Sequence, residues 1–285
     1  MFGFAKKSRR TASAVCTLAA ATMMTGAVVS APAAQAQNDP YYKWRTDPIS
    51  KTMAGKPAAP GVLHRVPGSW FDANRVPDHV AHAAARGRAV YGPGAPILVG
   101  NGLCTVTVAG TDAAGRKVAI TAAHCGGVGA PVVLADARQL GRTGTVAYRN
   151  EALDYAVIVL GRNADITNNY NGHAIRGVAA PPPPGARMCK NGFASGFTCG
   201  NAWFNRGVET ISQVCAMGGD SGAPLFVGDR LVGMINGGIL PPLLNLQCMT
   251  PLQGGFHAPT ATVQFGPVLA DLNSQRVPGS GFRFA

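Results

Sequence analysis

Thr121-Ala122-Ala123-His124-Cys125 ends an apolar run that begins at Lys117. The run Lys117–Ala122 reads as a buried strand, so a histidine is delivered at a strand end. Thirty residues on, Asp154-Tyr155-Ala156-Val157-Ile158-Val159-Leu160 sets an aspartate at the head of a second such run. Gly218-Gly219-Asp220-Ser221-Gly222-Ala223-Pro224 sets a serine in a glycine-rich turn before a third. Each feature alone is ordinary. Their order His, Asp, Ser in one β-rich chain is specific.

The chemistry explains the residue types. A serine hydroxyl is a weak nucleophile and needs a base to take its proton during attack. An imidazole with a pKa of about 6.5 can do so. An aspartate on the far ring nitrogen holds the imidazole and offsets its charge. The attacked carbonyl becomes an oxyanion that needs fixed donors, each contributing about 2.7–4 kcal/mol. The N–H groups of Gly219 and Ser221 are the candidates, and a glycine at 219 frees the turn. An esterase of the α/β-hydrolase type does not fit. Its nucleophile lies in G-x-S-x-G and its triad runs Ser, Asp, His. Here Gly219-Asp220-Ser221-Gly222 is followed by Ala223.

The surroundings point to an all-β domain over residues 89–285. Ten short β-prone runs, from Ile97–Val99 to Thr260–Phe265 and including Thr105–Val108, Gly207–Ile211 and Leu231–Ile235, are bounded by Gly, Pro and Asn. Val268–Asn273 reads as a short closing helix. Pro181–Pro184 cannot be a central strand and divides the β region in two. Residues 37–88 carry six prolines and no clean alternation. They read as a pro-region or N-terminal extension, with one helix over Asp78 to Arg88 and basic cleavage points at Arg86 and Arg88. A disordered linker is the alternative. Residues 1–36 read as a signal peptide, with Lys6, Lys7, Arg9 and Arg10 before an apolar stretch and Ala34-Gln35-Ala36 before the cut. The expectation is a secreted protein, free of membrane after that cut.

The net charge of +12 is spread as +4 over residues 1–36, +4 over 37–88 and +4 over 89–285. No Lys/Arg cluster is interleaved with aromatics, so nucleic acid is not an expected partner. Six cysteines follow the signal: Cys104, Cys125, Cys189, Cys199, Cys215 and Cys248. In an exported chain they read as disulfides, and six cysteines allow 15 pairings. No CxxC or HxxxH spacing supports a zinc site, and no metal or cofactor is expected.

TAAHC and GDSG resemble the signature segments of chymotrypsin-superfamily serine proteases. Three further places resemble the bacterial, streptogrisin-like branch. They are Cys215 standing six residues before Ser221, the segment Cys189-Lys190-Asn191-Gly192-Phe193-Ala194-Ser195-Gly196-Phe197-Thr198-Cys199, and Asp154-Tyr155-Ala156-Val157. The resemblance covers roughly residues 100–275. It implies two antiparallel six-stranded β-barrels with a short C-terminal helix. It implies His124, Asp154 and Ser221 as a triad, Gly219 and Ser221 as oxyanion donors, and Asn236, Gly237 and Gly238 as the substrate-binding edge. Asn236 stands where the family has a serine that contacts the triad aspartate. The implied pairings are Cys104–Cys125, Cys189–Cys199 and Cys215–Cys248. Asp220 is implied to be buried beside an internal cation, for which Lys190 is the candidate and Arg187 the second. The pocket-floor positions Gln213 and Val214 are not acidic, so an apolar or medium-sized P1 residue is expected. The insertion Ile239–Gln247 is placed to rim that pocket or to bind a partner. The activity implied is a secreted, zymogen-derived serine endopeptidase, monomeric, acting on proteins or peptides. The alternative is a silent homologue serving as a secreted binding protein.

Overall fold

The computed structural model describes residues 40–240 and 243–285, so the expected signal over residues 1–36 lies outside the described residues. The chain is mostly β: besides the two-stranded pairs Lys43–Arg45/Val62–His64 and Ala89–Tyr91/Ala164–Ile166, it forms two large sheets. The first runs, in spatial order, Arg283–Phe284, Val108–Thr111, Lys117–Ala122, Tyr155–Leu160, Gly144–Asn150, Pro131–Leu134, Pro96–Val99 and Gly102–Thr105. Its two central strands carry continuous apolar runs because both faces are covered: Val118, Ala119, Ile120, Val157 and Ile158 are all fully buried. The second sheet runs Gly177–Val178, Arg230–Gly238, Pro224–Val227, Arg187–Gly192, Gly196–Arg206, Glu209–Ser212 and Thr260–Gln264. Its last strand pairs back on Arg230–Gly238 and closes a six-strand barrel.

The expected double-barrel architecture therefore holds, with one difference. The second barrel is closed by hydrogen bonds, whereas the first is a curled sheet. At the would-be seam the Thr105 N–H is given to the Ser221 carbonyl (2.8 Å) and the Val106 N–H to Ala95 (2.9 Å). The single strand expected over Thr105–Val108 accordingly splits into Gly102–Thr105 and Val108–Thr111. Pro181–Pro184 is not the divider, because Gly177–Val178 already belongs to the second sheet. Glu209–Ser212 starts later than expected, since Gly207 has φ +59° and turns the chain. The hairpin Arg187–Gly192/Gly196–Arg206 is a strand pair that alternation did not show. The closing helix spans Phe265–Ser274 and buries Phe265, Val268 and Leu272.

The N-terminal extension is built into the molecule. Lys43–Arg45 pairs with Val62–His64, and Pro48–Met53 and Asp78–Ala85 are helical. The Asp78 helix ends short of Arg88, in a turn where Gly87 has φ +75°. Val62, Leu63, Phe71 and Val80 are buried. Arg65 Nη1 meets Asp136 Oδ1 at 2.7 Å, with both side chains at most 3 % exposed. Tyr170 OH donates to the other oxygen of Asp136 at 2.9 Å. Burying two charges is costly, and such a pair persists because removing one partner strands the other. Arg65→Ala is therefore expected to lower stability by about 3–5 kcal/mol, read as a lower urea midpoint with an unchanged slope.

Candidate active site

Register brings the histidine and the aspartate together. Tyr155–Leu160 lies antiparallel to Lys117–Ala122 with Tyr155 opposite Ala122, so His124 and Asp154 leave neighbouring strand ends. The Ala123 N–H donates to the Asp154 carbonyl (3.0 Å). Asp154 Oδ1 accepts the His124 backbone N–H (2.9 Å), and Oδ2 lies 2.8 Å from His124 Nδ1. Asp154 has φ +45°, the one non-glycine in the left-handed region among the described residues. Aspartate tolerates that region better than most side chains, and the cost is met by the bonds that fix it.

Asn236 reaches the same carboxylate from the second barrel. Its Nδ2 donates to Asp154 Oδ2 at 2.6 Å, and its Oδ1 accepts the Val263 N–H at 2.9 Å. Asparagine thus makes the contact that the sequence resemblance implied for a serine. Burial pushes the Asp154 carboxyl up, but the His124 ring, its charge, the Asn236 amide and the His124 N–H together hold it below the ordinary value.

The serine loop sits on the histidine strand. A Cβ on Gly222 would lie 2.2 Å from the Thr105 carbonyl oxygen and 2.4 Å from Thr121 Oγ1, so only glycine lets the loop approach. Thr105 N–H donates to the Ser221 carbonyl, Thr105 Oγ1 to the Gly219 carbonyl (2.9 Å) and Thr107 Oγ1 to the Gly222 carbonyl (2.7 Å). Gly219 has φ +101°. Among the described residues neither the Gly219 nor the Ser221 N–H has an acceptor, and Ser221 Oγ makes no hydrogen bond to His124. Such bonds are often loose in an unliganded site and tighten on the substrate.

No protein-family model and no curated protein matches the chain. Among solved structures, Nocardiopsis protease (NAPase) superposes at TM-score 0.53 and 25 % identity, over 67 % of this chain and 98 % of that one. The fold is that of the bacterial chymotrypsin-type serine proteases. Thermobifida fusca protease A shares this fold at TM-score 0.51 and 23 % identity, over 65 % of this chain and 97 % of that one. A glutamic acid specific serine protease also shares it, at TM-score 0.51 and 18 % identity, over 64 % and 97 %.

Other residues that the sequence pointed to have the following surroundings. The disulfides are Cys104–Cys125, Cys189–Cys199 and Cys215–Cys248. Cys215, Cys248 and His257 cluster closely, but both sulfurs are spent in the disulfide, which leaves no thiolate for a metal. Asp220 is fully buried, and Lys190, also fully buried, stands 3.3 Å from its Oδ2. Arg187 is exposed and takes no part in this pair. Burial lowers the Lys190 pKa, and the Asp220 charge opposes that shift.

Ser195, which the sequence reading did not single out, lies between the two. Its hydroxyl accepts from Lys190 Nζ and donates to Asp220 Oδ2. It is 2 % exposed and so has no access to substrate, unlike Ser221. Gly237 and Gly238 end the Arg230–Gly238 strand, exposed as a substrate edge requires. Gln213 turns its amide to the Gly255 and His257 carbonyls (3.0 and 3.1 Å). The insertion touches two separate segments: Asn245 lies over Gly238, and Gln247 Oε1 accepts the Gly218 N–H at 3.0 Å. Residues 241 and 242 of it lie outside the described residues. Leu243, Leu244 and Leu246 are exposed.

A hydrogen bond to a charged acceptor contributes about 1.5–3 kcal/mol. Asn236→Ala is expected to lower kcat/KM by about ten- to a hundredfold, with KM little changed in steady-state kinetics. Because the folded Asp154 pKa lies below its unfolded value, the ionised carboxylate stabilises the fold above about pH 4. That contribution is lost as pH falls through the lowered folded value. In Asn236→Ala the folded pKa rises and this window narrows, which a carboxyl NMR titration reads directly.

Proposed function

We propose that the chain is a secreted serine endopeptidase that hydrolyses peptide bonds through an acyl-enzyme. The observation that carries this reading is the Asp154 carboxylate, which binds His124 through two hydrogen bonds and is itself braced by Asn236 from the other barrel. Ser221 attacks the scissile carbonyl. His124 takes its proton and later passes it to the leaving amine. Asp154 holds the ring and stabilises its charged form. The N–H groups of Gly219 and Ser221 receive the oxyanion. Water then enters by the same steps in reverse roles.

The substrate strand lies along Asn236–Gly238. The P1 residue is apolar or medium-sized, because the floor carries Gln213 and Val214 and no acid to pair with Lys or Arg. Asn245 and Gln247 narrow the pocket mouth. Three disulfides suit an oxidising, extracellular setting. No described helix is long and apolar enough to cross a membrane. The working unit is a monomer.

Parent and Ser221→Ala are to be compared on an unstructured protein substrate, with products read by mass spectrometry. The parent is expected to cut, with cleavage after apolar or medium-sized residues. The variant is expected to lose about 10⁶-fold in kcat. If neither cuts although both are folded, the secreted binding-protein reading replaces this one.

A further inference from the structure

The segment 40–88 touches several of the residues that surround the oxyanion turn. Ser69 Oγ donates to the Ala194 carbonyl at 2.7 Å. The N–H groups of Ala194 and Ser195 in turn donate to Asp220 Oδ1 at 2.9 and 3.2 Å. Asp220 is the residue between Gly219 and Ser221, the two proposed oxyanion donors. A hydrogen-bonded path thus runs from Ser69 through one residue of the Gly192–Gly196 turn to the turn that must hold the oxyanion.

Val66 approaches Gly219 directly. A Cβ built on Gly219 lies 3.3 Å from Val66 Cγ2 and 3.2 Å from the Ala194 Cβ, so the two side chains flank that glycine on the same side. The neighbouring supports are bound as well. Arg65, paired with Asp136 in the 3-10 turn that follows the strand Pro131–Leu134, lies 5.0 Å from the Phe193 ring. Asn74 donates to Asn191. The Trp70 N–H donates to the Met249 carbonyl at 2.8 Å, and Phe71 packs on the Cys215–Cys248 disulfide. Thr250 Oγ1 donates to the Met53 carbonyl.

A removable inhibitory piece would sit across the reacting groups and leave them when cut. This segment does not cover His124. His124 keeps 45 % of its side chain exposed. Arg88, a candidate cleavage point, is tied by its guanidinium to Asp165 and to the Arg162 carbonyl. Its buried residues, among them Leu63, Arg65 and Ser69, would be uncovered by release. Gly219 is mobile by composition, with no side chain of its own to pack. Its geometry must come from neighbours, and an oxyanion donor works only when its position is set before the charge forms.

We infer that residues 40–88 are a permanent buttress of the oxyanion turn, with Ser69 and Val66 as positioning residues, and that the working enzyme keeps this segment bound. The inference rests on the protease reading above. Both act on transition-state geometry and not on ground-state binding, so their signature lies in kcat and not in KM.

The test uses the full secreted protein and the variants Ser69→Ala, Ser69→Thr and Val66→Ala. Each is titrated with a serine-directed phosphonylating reagent, and the labelled species is weighed by native mass spectrometry. A folded parent that does not react overturns the protease reading, and the buttress with it. A reacting parent is expected to carry residues 40–88, whether or not the chain is nicked. A reactive species that has lost them overturns the buttress alone. Per titrated site, Ser69→Ala and Val66→Ala are expected to lower kcat by roughly tenfold, a part of the 10²–10³-fold loss of a whole donor. KM stays unchanged, affinity for a peptidyl boronate falls in parallel with kcat, and Ser69→Thr recovers most of the loss. A lower Tm with kcat per titrated site unchanged in both alanine variants would show ordinary packing and overturn the inference.

Discussion

The catalytic end of this protein is organised around one buried carboxylate. Asp220 has no contact with water, so its charge must be met by the protein. Lys190 supplies the opposite charge, Ser195 bridges the two, and the N–H groups of Ala194, Ser195 and Met217 fill the remaining lone pairs. These donors come from the hairpin turn at residues 192–196 and from the nucleophile loop itself. Satisfying Asp220 therefore fixes both at once. Gly219 and Ser221, on either side of it in the chain, inherit their orientation from that requirement. The hairpin Arg187–Arg206 serves this ionic centre through the fully buried Lys190.

Much of the site could be read in the sequence because the chemistry prescribes residue types at fixed places. A histidine at the end of Lys117–Ala122 and an aspartate at the head of Tyr155–Leu160 must meet once those strands pair. Lys190 could be named because the family resemblance implied a buried cation beside Asp220 and Lys190 held the matching place. The same logic failed where side chains serve the backbone at long range. Thr107 donates to the carbonyl of Gly222, 115 residues away, and nothing local marks either residue. The hairpin was hidden because Lys190, Asn191 and Gly192 face a polar interior and break the two-residue period. The extension was hidden for another reason. Val62 and Leu63 lie in a three-residue strand and Pro67 parts them from Phe71, too short a pattern to show a period.

Two substitutions in the family pattern have structural answers. Asn236 has a longer reach than serine and a second polar atom. It braces Asp154 with one end and the Val263 N–H with the other, so the aspartate is tied to the second barrel's closing strand. The insertion Ile239–Gln247 likewise joins what is otherwise only adjacent. Through Asn245 and Gln247 it spans the substrate edge and the nucleophile loop, which links the width of the pocket to the position of the oxyanion turn.

The three disulfides close loops with separations of 21, 10 and 33 residues, and each lies within one lobe. Oxidation therefore hardens each half separately and does nothing to hold the halves together. That task falls to the hydrogen bonds of Thr105, Thr107 and Asn236, to residues 40–88, which bind both lobes, and to a hydrophobic core that joins Ile120 and Val157 with Met234 and Phe265. Because the two lobes share that core, they cannot part without exposing apolar surface on both, and they are expected to unfold together as one cooperative unit.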